Sequence, residues 1–245
     1  MLEQVLLENA LVFDIETVPG VAKFNELNEE FRKLWEIKAL KQNLFKEGET
    51  LEENYQNNAG IYAEFGKVVC ISVGFFKRDN TTGKLSLRVR SFADREEKIV
   101  LQQFCELLTA YFNNTKIHFL CGHNIREFDI PYLCRRMLIN GIELPKLLDI
   151  GGLKPWEVLH VDTMQCWKFG DYKGYTSLRL LAAVFGIPTP KDDIDGSDVG
   201  RVFWEEDNLD RIRVYCQKDV VTTARLLLKY KGQPNIEDND VVLAS

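Results

Sequence analysis

Apolar positions along this chain recur every second residue in some stretches and at helical spacing in others, and the switches mark out its elements. Residues 11–18, Leu-Val-Phe-Asp-Ile-Glu-Thr-Val, predict a strand interrupted by two carboxylates, Asp14 and Glu16. After the Val18-Pro19-Gly20 turn, Phe24, Leu27, Phe31, Leu34 and Trp35 fall at helical spacing, so residues 21–60 are expected to form a helical insertion. Lys67–Phe76 is rich in β-branched residues and predicts a central strand. A hairpin loop over 78–83 and a returning strand over 85–92 follow. Asp94 and Glu97 have the D-x-x-E spacing of a helix start, for a helix reaching Phe112 with Ile99, Phe104, Leu107, Leu108 and Tyr111 inward. Short strands are expected at 117–121 and 160–164, and helices at 131–139, 177–186 and about 208–231. Three strands followed by α/β alternation predict an α/β fold, with a mixed central sheet of about five strands flanked by helices.

Asp14 and Glu16, two apart on a strand, share one face. Burying two carboxylates side by side is costly, and a hard divalent cation resolves the conflict by taking their oxygens as ligands. A half-exposed strand shows the same alternation, so the octapeptide alone decides nothing. A third acid, Asp129, stands at the start of the helix that follows Gly122-His-Asn-Ile-Arg-Glu-Phe-Asp; taken alone, an ordinary helix cap is the better explanation. A fourth, Asp219, lies one turn after Tyr215, on a helical face shared with Ile212, Val220 and Thr223. A Lys or Arg across the interface is the alternative there. Four acids at apolar-to-polar boundaries suit one shared site, and two cations about 4 Å apart need about that many carboxylates.

Composition adds bounds. With 245 residues, 45% hydrophobic and 28% charged, the chain suits a soluble enzyme with one domain over 1–231, the insertion included. No apolar run reaches the roughly 18 residues of a membrane span, and the N-terminus lacks signal-peptide features, which predicts a cytoplasmic protein. Six scattered cysteines without a C-x-x-C pair read as buried small hydrophobes, and three histidines without H-E-x-x-H spacing exclude the common zinc hydrolases. The net charge is −6; the segment 232–245 holds three acids and no bases, leaving −3 on the rest. That segment's acidic polar composition favours disorder, with docking of a partner as the alternative. The overall balance predicts weak, local contact with nucleic acid, with bound cations making the site itself electropositive.

Taken together, Phe-Asp-Ile-Glu-Thr (13–17), His-Asn-x-x-x-Phe-Asp-x-Pro-Tyr-Leu (123–133) and Tyr-x-x-x-Asp (215–219) resemble the DEDDy 3′→5′ exonucleases of the ribonuclease-H-like superfamily. The set is most similar to the proofreading exonuclease domain of family-B DNA polymerases, and Lys191–Val199 resembles stand-alone bacterial members. The likeness spans Leu11 to about Lys229 and leaves no room for a polymerase palm or fingers. The histidine subclass carries His five residues before its last Asp, where this chain has Val214. The resemblance implies hydrolysis of terminal phosphodiesters, with single-stranded DNA as the favoured substrate and nucleoside monophosphates as products. It implies two divalent cations, Mg²⁺ or Mn²⁺, on Asp14, Glu16 and Asp219, with Asp129 binding the second ion through water. Tyr215 would orient the attacking water, and Thr17, Asn124 and Phe128 would touch the terminal nucleotide. Rival readings are a 3′→5′ exoribonuclease or oligonucleotidase of the same fold, and a catalytically silent nucleic-acid-binding module.

Other residues take lesser roles. Asp162 is expected to act as a hydrogen-bonding group, and Trp156, Trp167 and Trp204 as packing residues. Arg126, Arg135, Arg136, Lys168 and Lys173 are candidates for a phosphate path. The 191–202 segment has Lys and Val where a calcium loop needs its first and last ligands, which excludes calcium there. The insertion leaves the chain just beyond the acid-bearing strand and is expected to form a lid or strand-guiding wall.

Overall fold

The computed structural model describes residues 2–3, 5–171, 174–188 and 194–244. The first strand, β1 (Ala10–Pro19), is followed by the insertion, which holds α1 (Glu29–Lys41) and α2 (Leu51–Asn58). Then come β2 (Gly66–Arg78), β3 (Leu85–Ala93), α3 (Glu97–Tyr111), β4 (Phe119–Gly122) and α4 (Asp129–Ile139). The chain continues through β5 (Val161–Asp162), α5 (Thr163–Lys168), α6 (Leu178–Val184), α7 (Val199–Trp204), α8 (Leu209–Tyr230) and β6 (Val241–Leu243). The strands form one mixed sheet in the order β5-β4-β1-β2-β3-β6. β1 pairs antiparallel with β2 and parallel with β4.

Period-two alternation sends the side chains of β1 to two different cores. Leu11, Phe13 and Ile15 pack with Val100, Leu101, Phe104 and Leu108 of α3 and with Leu133 and Met137 of α4. Ala10 and Val12 pack on the opposite face against Val220, Ala224 and Leu227 of α8. Each large apolar side chain so covered is worth roughly 1.5–3 kcal/mol. Beyond Val12 that second face carries Asp14, then Glu16, and becomes apolar again at Val18, which meets Ile212 and Cys216 near the start of α8.

The sheet changes character at the acids. Pairing of β1 with β4 stops at Val12 opposite Cys121, where β4 turns away at Gly122. Gly122 is a close approach: a Cβ there would stand 2.9 Å from Phe13 O and press into Ile125. On the other side, the register with β2 slips between Glu16, opposite Cys70, and Thr17, opposite Val68. A slip of this kind breaks strict alternation and is common beside active sites.

Several expectations shift. Asp94 caps no helix side chain to backbone: its Oδ1 accepts from Glu96 N–H at 2.8 Å, and α3 starts without a side-chain cap. Glu97 is drawn inward, accepting from Val68 N–H (2.7 Å), Arg136 Nε (2.8 Å) and Asn140 Nδ2 (2.9 Å). Arg136 Nη1 also donates to Ala63 O at 2.8 Å, so one buried ion pair ties α3, α4, β2 and the insertion together. Tyr111, expected inward, is 73% exposed at the last residue of α3. The chain beyond Gly232, whose composition predicts disorder, returns to the sheet: Ile236 is buried, and β6 lies parallel to β3 with Val241 opposite Leu87. Arg225 anchors it by donating to Ile236 O (3.2 Å) and Asp238 Oδ1 (2.5 Å), so the acids that make it look unfolded are partly its tethers.

Within the insertion, Trp35, Ala39, Tyr55, Ala59 and Phe65 form a small core. Its two ends are pinched together by Gly20 N–H donating to Phe65 O at 2.8 Å, and Tyr132 of α4 donates to Gly60 O at 2.9 Å. Removing one side of the buried Glu97–Arg136 pair leaves a stranded charge. Arg136→Ala should therefore cost about 3–5 kcal/mol in urea unfolding, and a loss under about 1 kcal/mol would contradict this picture.

Candidate active site

Asp14 is half-buried and Glu16 is 7% exposed, on the face of β1 that α8 covers. α8 turns Ile212, Cys216 and Val220 inward at steps of four, and these apolar positions fix its rotation. That rotation brings the Cys216 thiol onto Asp14, with Sγ 3.4 Å from Asp14 O and 3.5 Å from Oδ2. Asp14, Glu16 and Cys216 offer potential ligand atoms within 4.8 Å of one another. Tyr215, half-buried, packs beside the apolar cluster that contains Val18 and Ile212.

Asp129 arrives from the other side. The residue before α4 is Phe128, which offers no side-chain cap, and Asp129 is the first residue of the helix. β4 pairs with β1 only as far as Val12, two residues before Asp14. Asp129 is 3% exposed and lies alongside the strand segment that bears Asp14 and Glu16. Asp219 joins the group through its charge, which raises the pKa of Asp14, Glu16 and Asp129 alike.

A family model described as a predicted 3′–5′ exonuclease related to the exonuclease domain of PolB matches residues 61–239. The chain belongs to this exonuclease family. The match takes in Asp129, Tyr215 and Asp219; the Asp14–Glu16 strand lies before it. The family B DNA polymerase from the hyperthermophilic archaeon Pyrobaculum calidifontis superposes with a TM-score of 0.54 at 18% identity. The likeness covers 91% of this chain and 24% of the polymerase, and it shows a ribonuclease-H-like fold. The RNase domain of the yeast Pop2 protein is a more distant likeness, at TM-score 0.41 and 11% identity over 96% of this chain and 81% of that domain. No curated protein matches the chain.

The exonuclease's acids sit in conflict with their surroundings. Burial pushes the Asp14 carboxyl well above the usual range, and the charges of Asp219 and Asp129 push it further. Glu16 is raised well by burial, then by Asp14 and Asp219. Asp129 is raised to about 7, chiefly by burial, while the N–H bonds of Asp129 and Ile15 pull the other way. Clustered carboxylates with raised pKa values are a donor set that a hard cation fits, since its charge cancels both the burial cost and the mutual repulsion.

Of the substrate-contact candidates, Asn124 has a left-handed backbone (φ 65°), and its Oδ1 is buried with no hydrogen-bond partner among the described residues. Thr17 stands at the register slip, and the Phe128 ring is 5.4 Å from that of Tyr132. Asp162 accepts only backbone N–H groups, including those of Asn124 and Arg126 at 3.0 Å each. Three of the proposed phosphate-path bases are committed elsewhere: Arg126 to Val158 O and His160 O, Arg136 to Glu97, Lys168 to Glu127. Arg135 is exposed, and Lys173 lies outside the described residues, as does the start of the 191–202 segment. Trp167 packs on Phe185 and Trp204 donates to Pro19 O, but Trp156 is 75% exposed with Lys154 over its ring. Sequence reasoning missed Cys216, whose signal was its place in the apolar series 212, 216, 220.

The raised carboxyls set a pH dependence. Their stabilisation is complete below the ordinary carboxylate range near 4 and is lost as pH rises to about 7 for Asp129, with Asp14 and Glu16 acting in the same direction. Buried His123 and His160, both lowered, act oppositely, and only below about 6.5. In chelator, the melting temperature should therefore fall by roughly 2–4 °C between pH 6.5 and 8. Millimolar Mn²⁺ should restore more at pH 8 than at pH 6.5, and an equal or reversed metal effect in thermal melts contradicts a carboxylate cation site.

Proposed function

We propose that this protein is a metal-dependent 3′→5′ exonuclease that removes mononucleotides from single-stranded DNA, with Asp14, Glu16, Asp129, Tyr215 and Asp219 as its catalytic set. The observation that carries the reading is the convergence of the acids: three separate chain segments bring carboxyls together where burial and mutual charge leave them in need of a cation. Asp14, Glu16 and Asp219 would ligate directly, and Asp129 would do so through water. A bound pair of Mg²⁺ or Mn²⁺ ions would supply an attacking hydroxide and offset charge on the phosphorane and on the leaving 3′-oxygen.

The chain's own groups do the rest. Tyr215 lies one helical turn before Asp219, and its hydroxyl would orient the attacking water in line with the scissile P–O bond. Asn124 brings an unsatisfied carbonyl oxygen to the loop that precedes Asp129, suited to a donor on the terminal nucleotide. Thr17 and Phe128 border the same place and would pack against the terminal sugar and base. The insertion leaves β1 at Pro19, three residues beyond Glu16, and would wall one side of the strand's approach.

The test is an end-labelled oligonucleotide shortened from its 3′ end, in deoxyribose and ribose forms. Asp14→Ala should fall below about one-thousandth of the wild-type rate and lose metal affinity. Tyr215→Phe should be about 10- to 100-fold slower with metal affinity kept. Stepwise cutting that prefers the ribose form moves the assignment to RNA, and retention without cutting removes the enzymatic reading.

A further inference from the structure

A buried acid outside the four stands beside the site, its charge acting on Asp129. Asp162, at the end of β5, is 2% exposed, and its carboxylate accepts four backbone N–H groups. Oδ1 takes those of Asn124 (3.0 Å), Met164 (2.9 Å) and Gln165 (3.2 Å), while Oδ2 takes that of Arg126 (3.0 Å). A carboxylate has about four lone-pair positions, two on each oxygen; three donors crowd Oδ1, while Oδ2 takes the Arg126 N–H and keeps one position. Asp162 thus acts on the backbone as a clamp.

Two of its donors belong to the loop between β4 and α4, the segment that delivers Asn124, Phe128 and Asp129. Its neighbours grip the same loop. Thr163 Oγ1 donates to Gly122 O at 3.2 Å, and His123 joins Thr163 Oγ1 (2.9 Å) to Thr176 O (2.8 Å). Arg126 Nη2 reaches back to Val158 O and His160 O. Inside this grip Asn124 holds a left-handed conformation, which asparagine adopts more readily than other side chains. The N–H groups on either side of Ile125 are the ones Asp162 holds.

We propose that Asp162 is a positioning residue of the exonuclease site: its carboxylate fixes the β4–α4 loop so that Asn124 and Asp129 address the same terminal nucleotide. The inference rests on the exonuclease reading above and adds to it a residue that touches neither substrate nor metal. It works through Asn124, so the two should fail as a unit. In Asp162→Asn the carbonyl can keep the three Oδ1 bonds, α5 contacts included, while the amide faces the Arg126 N–H, donor against donor.

The experiment measures kcat and KM for 3′ shortening of a single-stranded oligodeoxynucleotide by wild type, Asp162→Asn, Asn124→Ala and the double variant. If wild type shortens nothing, the exonuclease reading falls and this inference with it. With wild type active, each single change should raise KM about tenfold and the double should be no worse than about twofold beyond the poorer single. An Asn124→Ala enzyme with unchanged KM, or a double variant impaired about 100-fold, overturns the inference while leaving the exonuclease reading in place. Native-state amide exchange on the wild-type chain serves where Asp162→Asn fails to fold. The Asn124 and Arg126 amides should exchange as slowly as those of β4, and rapid exchange at both overturns the clamp.

Discussion

Two carboxylates two residues apart on a strand covered on both faces are the constraint around which this molecule is arranged. The face of β1 that carries them is apolar before Asp14 and apolar again at Val18, so α8 must lie across it to cover both ends. Covering the ends also covers the acids between them. The cost of that burial is visible in their raised pKa values, and a bound cation would offset it. The sheet accommodates the acids by loosening around them: β4 departs after Val12, and the β2 register slips after Glu16. Asp129 joins them from the first residue of α4, and burial raises its carboxyl as it raises theirs.

Around this centre the structure fixes Asp129's helix from several directions. α4 is bound to α3 and β2 through Glu97 and Arg136, and to the insertion through Tyr132 and Gly60. Its leading loop is gripped by the end of β5. An acid on the first residue of a helix, as Asp129 is, is exposed to fraying. Ties at both the loop and the helix body give it the fixed position that catalysis by preorganised charge requires. The insertion is therefore part of the frame, with its own aromatic core and a shared hinge point at Gly20 and Phe65.

Legibility in the sequence followed the strength of the local signal. β1, β2, β3, α4 and α8 carry long or sharply punctuated patterns and stand close to where periodicity placed them. The short elements α5 and α7 and the strand β6 had no pattern long enough to read. The segment after Gly232 misled because its acids resemble solvated charges, whereas Asp238 and Asp240 pair with Arg225 and Lys84. Arg136 misled in the opposite sense: a base among candidate phosphate contacts is instead the partner of the buried Glu97. Trp156 shows the limit for aromatics, since bulk alone does not say which rings a loop leaves in solvent.

The sequence by itself determined which side chains share a face and where helices and strands change over, because those follow from covalent spacing and local backbone preference. It therefore determined that Asp14 and Glu16 point the same way, that Tyr215 and Asp219 are one turn apart, and that the chain alternates as an α/β sheet protein does. Only the tertiary structure decided that these pairs meet, that Cys216 rests on Asp14, and that Asp162 turns its carboxylate to four backbone N–H groups. Those outcomes depend on how segments far apart in the chain pack against one another, which no local pattern encodes.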